Sequence, residues 1–346
     1  MNVRIPRTLL GGAAVFVSVG LLLAGCGDDE SASPTTTVDA DALRVALVAD
    51  AGQLNDNGFN ELAYKGLKRA ERELGVDGRV VEAKSAADYV PNMSTLARQG
   101  YDLIIGVGFA QGDAIAAVAK KFPDTSFAIV DVDQSFLKGK PRNVQGLLFR
   151  EEQVGYLVGY LGALVLKREG GGSLGAIGGY KEPPVDRFIA GYKAGAVAAV
   201  PGTKVRWAYS QDWDDQAKCK ELALNQIAAG AKVVFQVAGG CGLGALSAAK
   251  DRGVWGIGVD GDQSFLGPHV LTSALKGVDS AVFLTVRAMQ DGTFGGGTNA
   301  VFGLDQDGVG LGTVSPKADP EDVAATEEVE RQIAAGEIGE IPTTVG

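Results

Sequence analysis

The stretch Val48–Leu67, VADAGQLNDNGFNELAYKGL, carries a strand end, a polar loop and a helix start in immediate succession. It continues an apolar run (Leu43, Val45, Ala46, Leu47, Val48) that is β-rich and short enough to be a buried strand. Residues 50–58 then hold two glycines, two asparagines and two aspartates. After them Phe59, Leu62, Ala63, Gly66, Leu67 and Ala70 recur at helical spacing. In a parallel α/β sheet such a loop lies at the carboxyl end of a strand, where ligands bind. Its carboxylates, amides and one aromatic ring suit a small polar molecule with a flat face. The alternative is a solvated turn in which Asp and Asn serve turn chemistry alone.

The same alternation continues along the chain, the mark of a parallel α/β architecture. Strands are predicted at 44–48, 79–83, 103–107, 126–130, 174–177, 205–208, 233–237 and 255–259, with a last short one at His269–Ser273. Helices are predicted at 59–74, 112–121, 153–167, 185–200, 216–229, 243–251 and 279–291. The first four strands form one array and the next four a second, joined by the Gly-, Tyr- and Leu-rich helix around Gly155–Val165. Two lobes facing each other across a cleft follow from that duplication. With 346 residues, 46% of them hydrophobic, the chain can supply two sizeable cores. Its 50 glycines have no collagen period and suit turns and close helix packing. The tail from Ala300 adds short strands and a helix at 321–335 whose docking the pattern does not fix.

Arg4 and Arg7 precede an apolar run from Leu9 to Leu23, the layout of a secretory signal. The run ends in Leu22-Leu23-Ala24-Gly25-Cys26, which resembles a bacterial lipobox, with Cys26 the lipidated first mature residue. A cleaved signal without lipid, or an anchor helix, are the alternatives. The following GDDESASPTTTVDAD has no apolar period and reads as a tether. The folded part is therefore expected on the extracytoplasmic face of the cell membrane. The formal charge of −10, which becomes −12 without Arg4 and Arg7, argues against a nucleic-acid partner.

Hydrolytic and metal chemistry find no support. His269, the one histidine, sits beside Pro268, and no nucleophile elbow, His-Glu-x-x-His helix or phosphate loop occurs. Gly240-Cys241-Gly242-Leu243-Gly244-Ala245 does fit a relaxed dinucleotide fingerprint, following the strand VVFQV, with Asp260 further on. It leaves an exported nicotinamide-dependent oxidoreductase as a distant alternative, although such cofactors are scarce outside the cytoplasm. Otherwise no cofactor and no catalytic residue is expected.

Polar groups collect instead at predicted strand ends: Asp50, Asp131, Gly239–Gly240 and Asp260, with Lys276 beyond the last strand. Phe59 from one half, and Phe188 and Trp213 from the other, can sandwich a planar heterocycle, each contact contributing about 0.5–1.5 kcal/mol beyond area burial. Asp131 is expected to accept hydrogen bonds from ring N–H groups. Asp260 is expected to chelate two sugar hydroxyls, with Lys276 neutralising it. Taken singly, each has a plain structural alternative: a helix cap, a core ring, a surface lysine.

The segments DAGQLNDNGFNELAYKGL, FREEQVGYLVGYLGALV, GAIGGYKEPPVDRFIAGYKAG, DDQAKCKELALNQIAAGAKVVFQVAGGCGLGALSAAK and GIGVDGDQSFLGPHVLTSALKGVDSAVF together resemble the basic membrane protein family of lipoproteins, in order from about residue 43 to about 340. The resemblance implies a substrate-binding protein of an ABC transporter with the two-lobed type I periplasmic-binding fold, two doubly wound parallel sheets around a ligand cleft. It implies a nucleoside ligand, with purines foremost, a palmitate-bearing lipid anchor at Cys26, permease subunits as partners, and a monomer. A sugar or other small metabolite in the same fold is the alternative. The implied division is 43–148 plus 277–312 for the N-terminal lobe and 149–276 plus 313–346 for the C-terminal lobe, after a signal at 1–26 and a tether at 27–42.

The family's pattern falls on Asp50, Phe59, Asp131, Gly239-Gly240-Cys241-Gly242, Asp260 and Lys276, with Asp133 close enough to compete with Asp131. Gly58 replaces the usual Ser, Asn55 stands where an acid is usual, and Trp213 stands where a different aromatic is usual. Cys219 and Cys241 fall at the starts of consecutive helices outside the reducing interior, so they either form a disulfide or are two small buried thiols.

Overall fold

The computed structural model describes residues 42–346; the segments expected to be a signal, a lipidation site at Cys26 and a tether lie, up to residue 41, outside the described residues. The first sheet is built from β1 (Arg44–Ala49), β2 (Asp77–Glu82), β3 (Leu103–Gly106), β4 (Ser126–Val130) and β5 (Val144–Phe149). Between them run α1 (Phe59–Leu74), α2 (Tyr89–Arg98) and α3 (Gly112–Ala119). The chain then crosses into α4 (Glu151–Arg168), β6 (Ser173–Gly178), α5 (Pro183–Ala199), β7 (Lys204–Tyr209), α6 (Gln216–Ala228), β8 (Ala231–Val237), α7 (Gly239–Arg252), β9 (Trp255–Asp260) and β10 (Val270–Lys276). It returns through α8 (Val278–Gln290) and β11 (Asn299–Phe302), crosses again to β12 (Val309–Leu311), and ends on α9 (Pro320–Ala334).

The two sheets repeat one topology. Their strand orders, β11-β5-β4-β3-β1-β2 and β12-β10-β9-β8-β6-β7, superimpose position for position, and every pairing is parallel except β12 on β10. Strands such as β3 and β6 are buried along their whole length, because helices cover both faces of a parallel sheet. Because β12 pairs with β10, Val309–Leu311 sits in the second sheet and not with the N-terminal lobe to which residues 277–312 were assigned. Two elements escaped the sequence reading. Gln145 and Gly146 interrupt the apolar run of β5, and Pro91 disguises α2, although a proline in a first helical turn removes no needed donor.

The glycines of the α4–α5 pair have a packing reason. A Cβ on Gly155 or Gly159 would overlap the carbonyl oxygens of Phe188 or Tyr192, and one on Gly191 or Gly195 those of Glu152 or Tyr156. The two helices therefore touch backbone to backbone. Arg168 at the end of α4 binds Asp319 at 3.0 Å, and Glu321 and Asp322 at 2.8 Å each, which docks α9 on the second lobe. Cys219 and Cys241 form a disulfide between α6 and α7, Cα atoms 5.5 Å apart.

Candidate functional site

Parallel strands end on the same side, so the loops after β1, β3, β4, β8, β9 and β10 converge on one cleft. The cleft encloses a cavity of about 680 Å³, its mouth included. Asp50, Phe59, Asp131, Trp213, Gly239, Gly240, Asp260 and Lys276 all line it, as do Phe188 and, unforeseen, Asp56, Phe109, Glu182 and Asp214. The lobes are closed on each other: a Cβ on Gly58 would lie 3.7 Å from Asp260, one on Gly52 3.6 Å from Asp214, and one on Gly261 3.2 Å from the Asn57 carbonyl.

The polar loop splits into two jobs. Asp56 serves turn chemistry, its carboxylate accepting from the amides of Gly58, Asn60 and Glu61 at 2.8, 2.9 and 3.2 Å and so capping α1. Asp50 serves the cavity. Its carboxylate accepts from the Tyr89 hydroxyl and, at 2.8 Å, from the Ala51 amide. Burial nevertheless pushes its pKa up to about 6. Gly108, at φ 106°, leaves room for that carboxylate where any Cβ would collide with it.

Lys276 is the last residue of β10, a longer strand than the one expected to end at Ser273. It is only 2% exposed, and its ammonium lies 2.7 and 2.8 Å from the two oxygens of Asp131 and 2.9 Å from Glu151, which opens α4 and is fully buried. This corrects two expectations. Lys276 pairs directly with Asp131 and Glu151, not with Asp260, and Asp131 has both oxygens occupied by an ammonium and so is a weaker reader of a ligand. Burial works against the charge on Lys276, but Asp131, Glu151 and Asp260 outweigh it and hold its pKa above the ordinary value. The ammonium also lies 4.9 Å from the Phe149 ring centroid, 5.2 Å from Phe59 and 5.8 Å from Phe188. Asp133 does not compete: it accepts from Asn299 and the Ser135 amide at 2.8 Å each and is absent from the cavity lining.

Asp260 terminates β9 in the left-handed region at φ 62°, as Asp131 follows β4 at φ 71°. Non-glycine residues rarely adopt this conformation, and it aims both carboxylates into the cleft. Among the described residues no protein donor hydrogen-bonds the Asp260 side chain. Burial pushes its pKa up to about 7, partly opposed by Lys276. The equivalence of the two aspartates was legible in a repeat that went unread: Val130–Leu137 is VDVDQSFL and Val259–Leu266 is VDGDQSFL. Glu151 and Glu182, by contrast, follow no spacing rule that would have singled them out.

Trp213 packs over Gly179, where a Cβ would overlap its ring, and leans on Tyr180 at 5.4 Å. Phe188 stands edge-on to Phe235 at 6.1 Å, so it is at once core and cavity wall. Gly239 and Gly240 open α7 behind Ala238, which has no side-chain acceptor, and both line the cavity, while the Cys241 amide donates to the Trp213 carbonyl at 2.8 Å. The other glycines of that fingerprint are packing devices: a Cβ on Gly242 would overlap the Gln236 side chain, and one on Gly244 the Gln216 carbonyl of α6.

Comparison with known proteins agrees with this geometry. Residues 43–344 match the family model described as ABC transporter substrate-binding protein PnrA-like, named Bmp. The CD4+ T-cell-stimulating antigen of Listeria innocua is 34% identical over 360 residues, spanning 96% of this chain and 98% of that protein. The ABC transporter nucleoside-binding protein BmpA of Lactococcus lactis is 33% identical over 342 residues, spanning 92% and 95%. A solved ABC transporter system solute-binding protein from Aeropyrum pernix K1 superimposes with a TM-score of 0.76 at 28% identity, over 87% of this chain and 94% of that one. The chain belongs to the Bmp family of ABC transporter substrate-binding proteins, which are binding proteins and not enzymes.

Proposed function

We propose that this protein is a lipid-anchored extracytoplasmic receptor that captures a nucleoside between its lobes and presents it to a membrane permease. The observation that carries the reading is the composition of one cavity wall by wall. Phe59 comes from the first lobe, Phe188 and Trp213 from the second, and the Asp260 carboxylate stands among them without a protein donor. The rings supply faces for a heterocyclic base, and Asp260 supplies two acceptor oxygens for adjacent ribose hydroxyls. The relative from Lactococcus lactis, by its printed name, binds nucleosides. Closure is hinge-like and the receptor acts as a monomer, because both walls of the site come from one chain.

Calorimetric titration of the purified receptor with nucleosides and with free pentoses and hexoses tests this. Binding of nucleosides, abolished in Asp260→Ala with the fold intact, is the expected outcome. Tight binding of a free sugar with no response to any nucleoside would replace this reading with that of a sugar receptor.

A further inference from the structure

Glu182 is a cavity acid that neither the packing nor the roles above use. It occupies the N-cap position of α5, yet its side chain makes no cap hydrogen bond. The neighbouring cations are engaged elsewhere: Lys181 holds Asp186 at 2.8 Å, Arg187 approaches Glu151 at 3.4 Å, and Lys276 holds Asp131 and Glu151. Among the described residues nothing positive contacts Glu182. The charges it meets across the cleft are Asp50 and Asp131, beside the Tyr89 hydroxyl that Asp50 already binds.

Closing the lobes therefore brings Glu182 of the second lobe toward Asp50 and the Lys276-paired Asp131 of the first, and among the described residues no cation of the protein contacts Glu182 or Asp50. An ionised carboxylate can only accept, and burying it without a donor is costly. The part of the ligand lying there must supply the donors. Of the purine edges, a 2-amino-6-oxo edge fits best: its ring N–H and adjacent amine point two parallel donors at a carboxylate's two oxygens, as a guanidinium does. A 6-oxopurine lacking the amine offers one donor, and a 6-aminopurine places a lone pair beside its single amine.

We propose that Glu182 is a specificity-determining residue, selecting nucleosides whose base carries an exocyclic amine beside a ring N–H. The proposal rests on the nucleoside reading above. Guanosine and inosine differ by that amine alone, so their affinity ratio isolates it. Titrations at pH 8 should show guanosine binding at least about tenfold more tightly than inosine, the scale of one hydrogen bond to a charged group. In Glu182→Gln and Glu182→Ala the ratio should fall to within about threefold, mainly through weaker guanosine binding. Unchanged melting temperatures of the variants would show that they fold. Nucleoside binding without preference for guanosine, or a preference that survives both substitutions, overturns this proposal and leaves the receptor reading intact. Failure of every nucleoside to bind overturns both.

Discussion

Lys276→Met should be the most damaging conservative-volume substitution in the cleft. The ammonium bonds both oxygens of Asp131 and one of Glu151, at 2.7–2.9 Å, in a place where lysine and acids are almost wholly buried. Removing one partner of a buried ion pair strands the other charges, which costs about 3–5 kcal/mol. Asp131 is stranded outright and Glu151 keeps only Arg187 at 3.4 Å, so a cost within that range is expected. At about 2–4 °C per kcal/mol, the melting temperature should drop by on the order of 10 °C. The sign of the pH dependence follows. Burial already raises the folded-state pKa of Glu151 to about 7 against the pull of Lys276, and without that ammonium it rises further above its unfolded value, so the variant binds extra protons when folded. Its deficit is greatest at pH 8 and shrinks toward pH 5. Urea titrations of the ligand-free protein at both pH values, followed by tryptophan fluorescence, measure this, and Lys276→Met combined with Asp131→Asn and Glu151→Gln should recover much of the loss. A deficit under about 1 kcal/mol, or one independent of pH, would refute the reasoning.

Phe59→Ala should weaken nucleoside binding by about ten- to a hundredfold, since it loses a stacking face and its buried area, with a melting temperature changed by only a few degrees. Equal affinities would remove Phe59 from the base-binding wall. Gly159→Ala should destabilise the second lobe by about 2–3 kcal/mol, because the new methyl meets the Tyr192 carbonyl, and a gain of about 1 kcal/mol from helix propensity would contradict that packing. In the ligand-free protein, closure gathers Asp50, Asp260 and Glu182, whose pKa values rise to about 6, 7 and 7 in the closed cleft. The closed form then binds more protons than the open one. Its population should grow as pH falls from about 8 to 5, seen in X-ray scattering as a smaller radius of gyration, whereas growth on raising the pH would invert the assignment.

The strand–helix alternation and the strand-end aspartates were legible because a parallel sheet imposes both: buried runs for strands, and polar loops at one set of ends. Nine residues singled out from the sequence, Phe188 among them, line one cavity. What stayed hidden depends on tertiary partners. Pairwise chemistry is the clearest case: shared placement at strand ends matched Lys276 to Asp260, whereas its position at the end of β10 puts it on Asp131 and Glu151. Glu151 follows the crossing from β5 and reads from sequence as an ordinary acid in a first helical turn. The placement of β12 was equally invisible, since Val309–Leu311 is too short for its pattern to name a sheet.

The most direct test is mass spectrometry of the small molecule released on denaturing receptor purified without added ligand. The account predicts a nucleoside, with a mass and fragmentation that show a base joined to a pentose. A free sugar or other molecule without a planar base, released in stoichiometric amount, would contradict it.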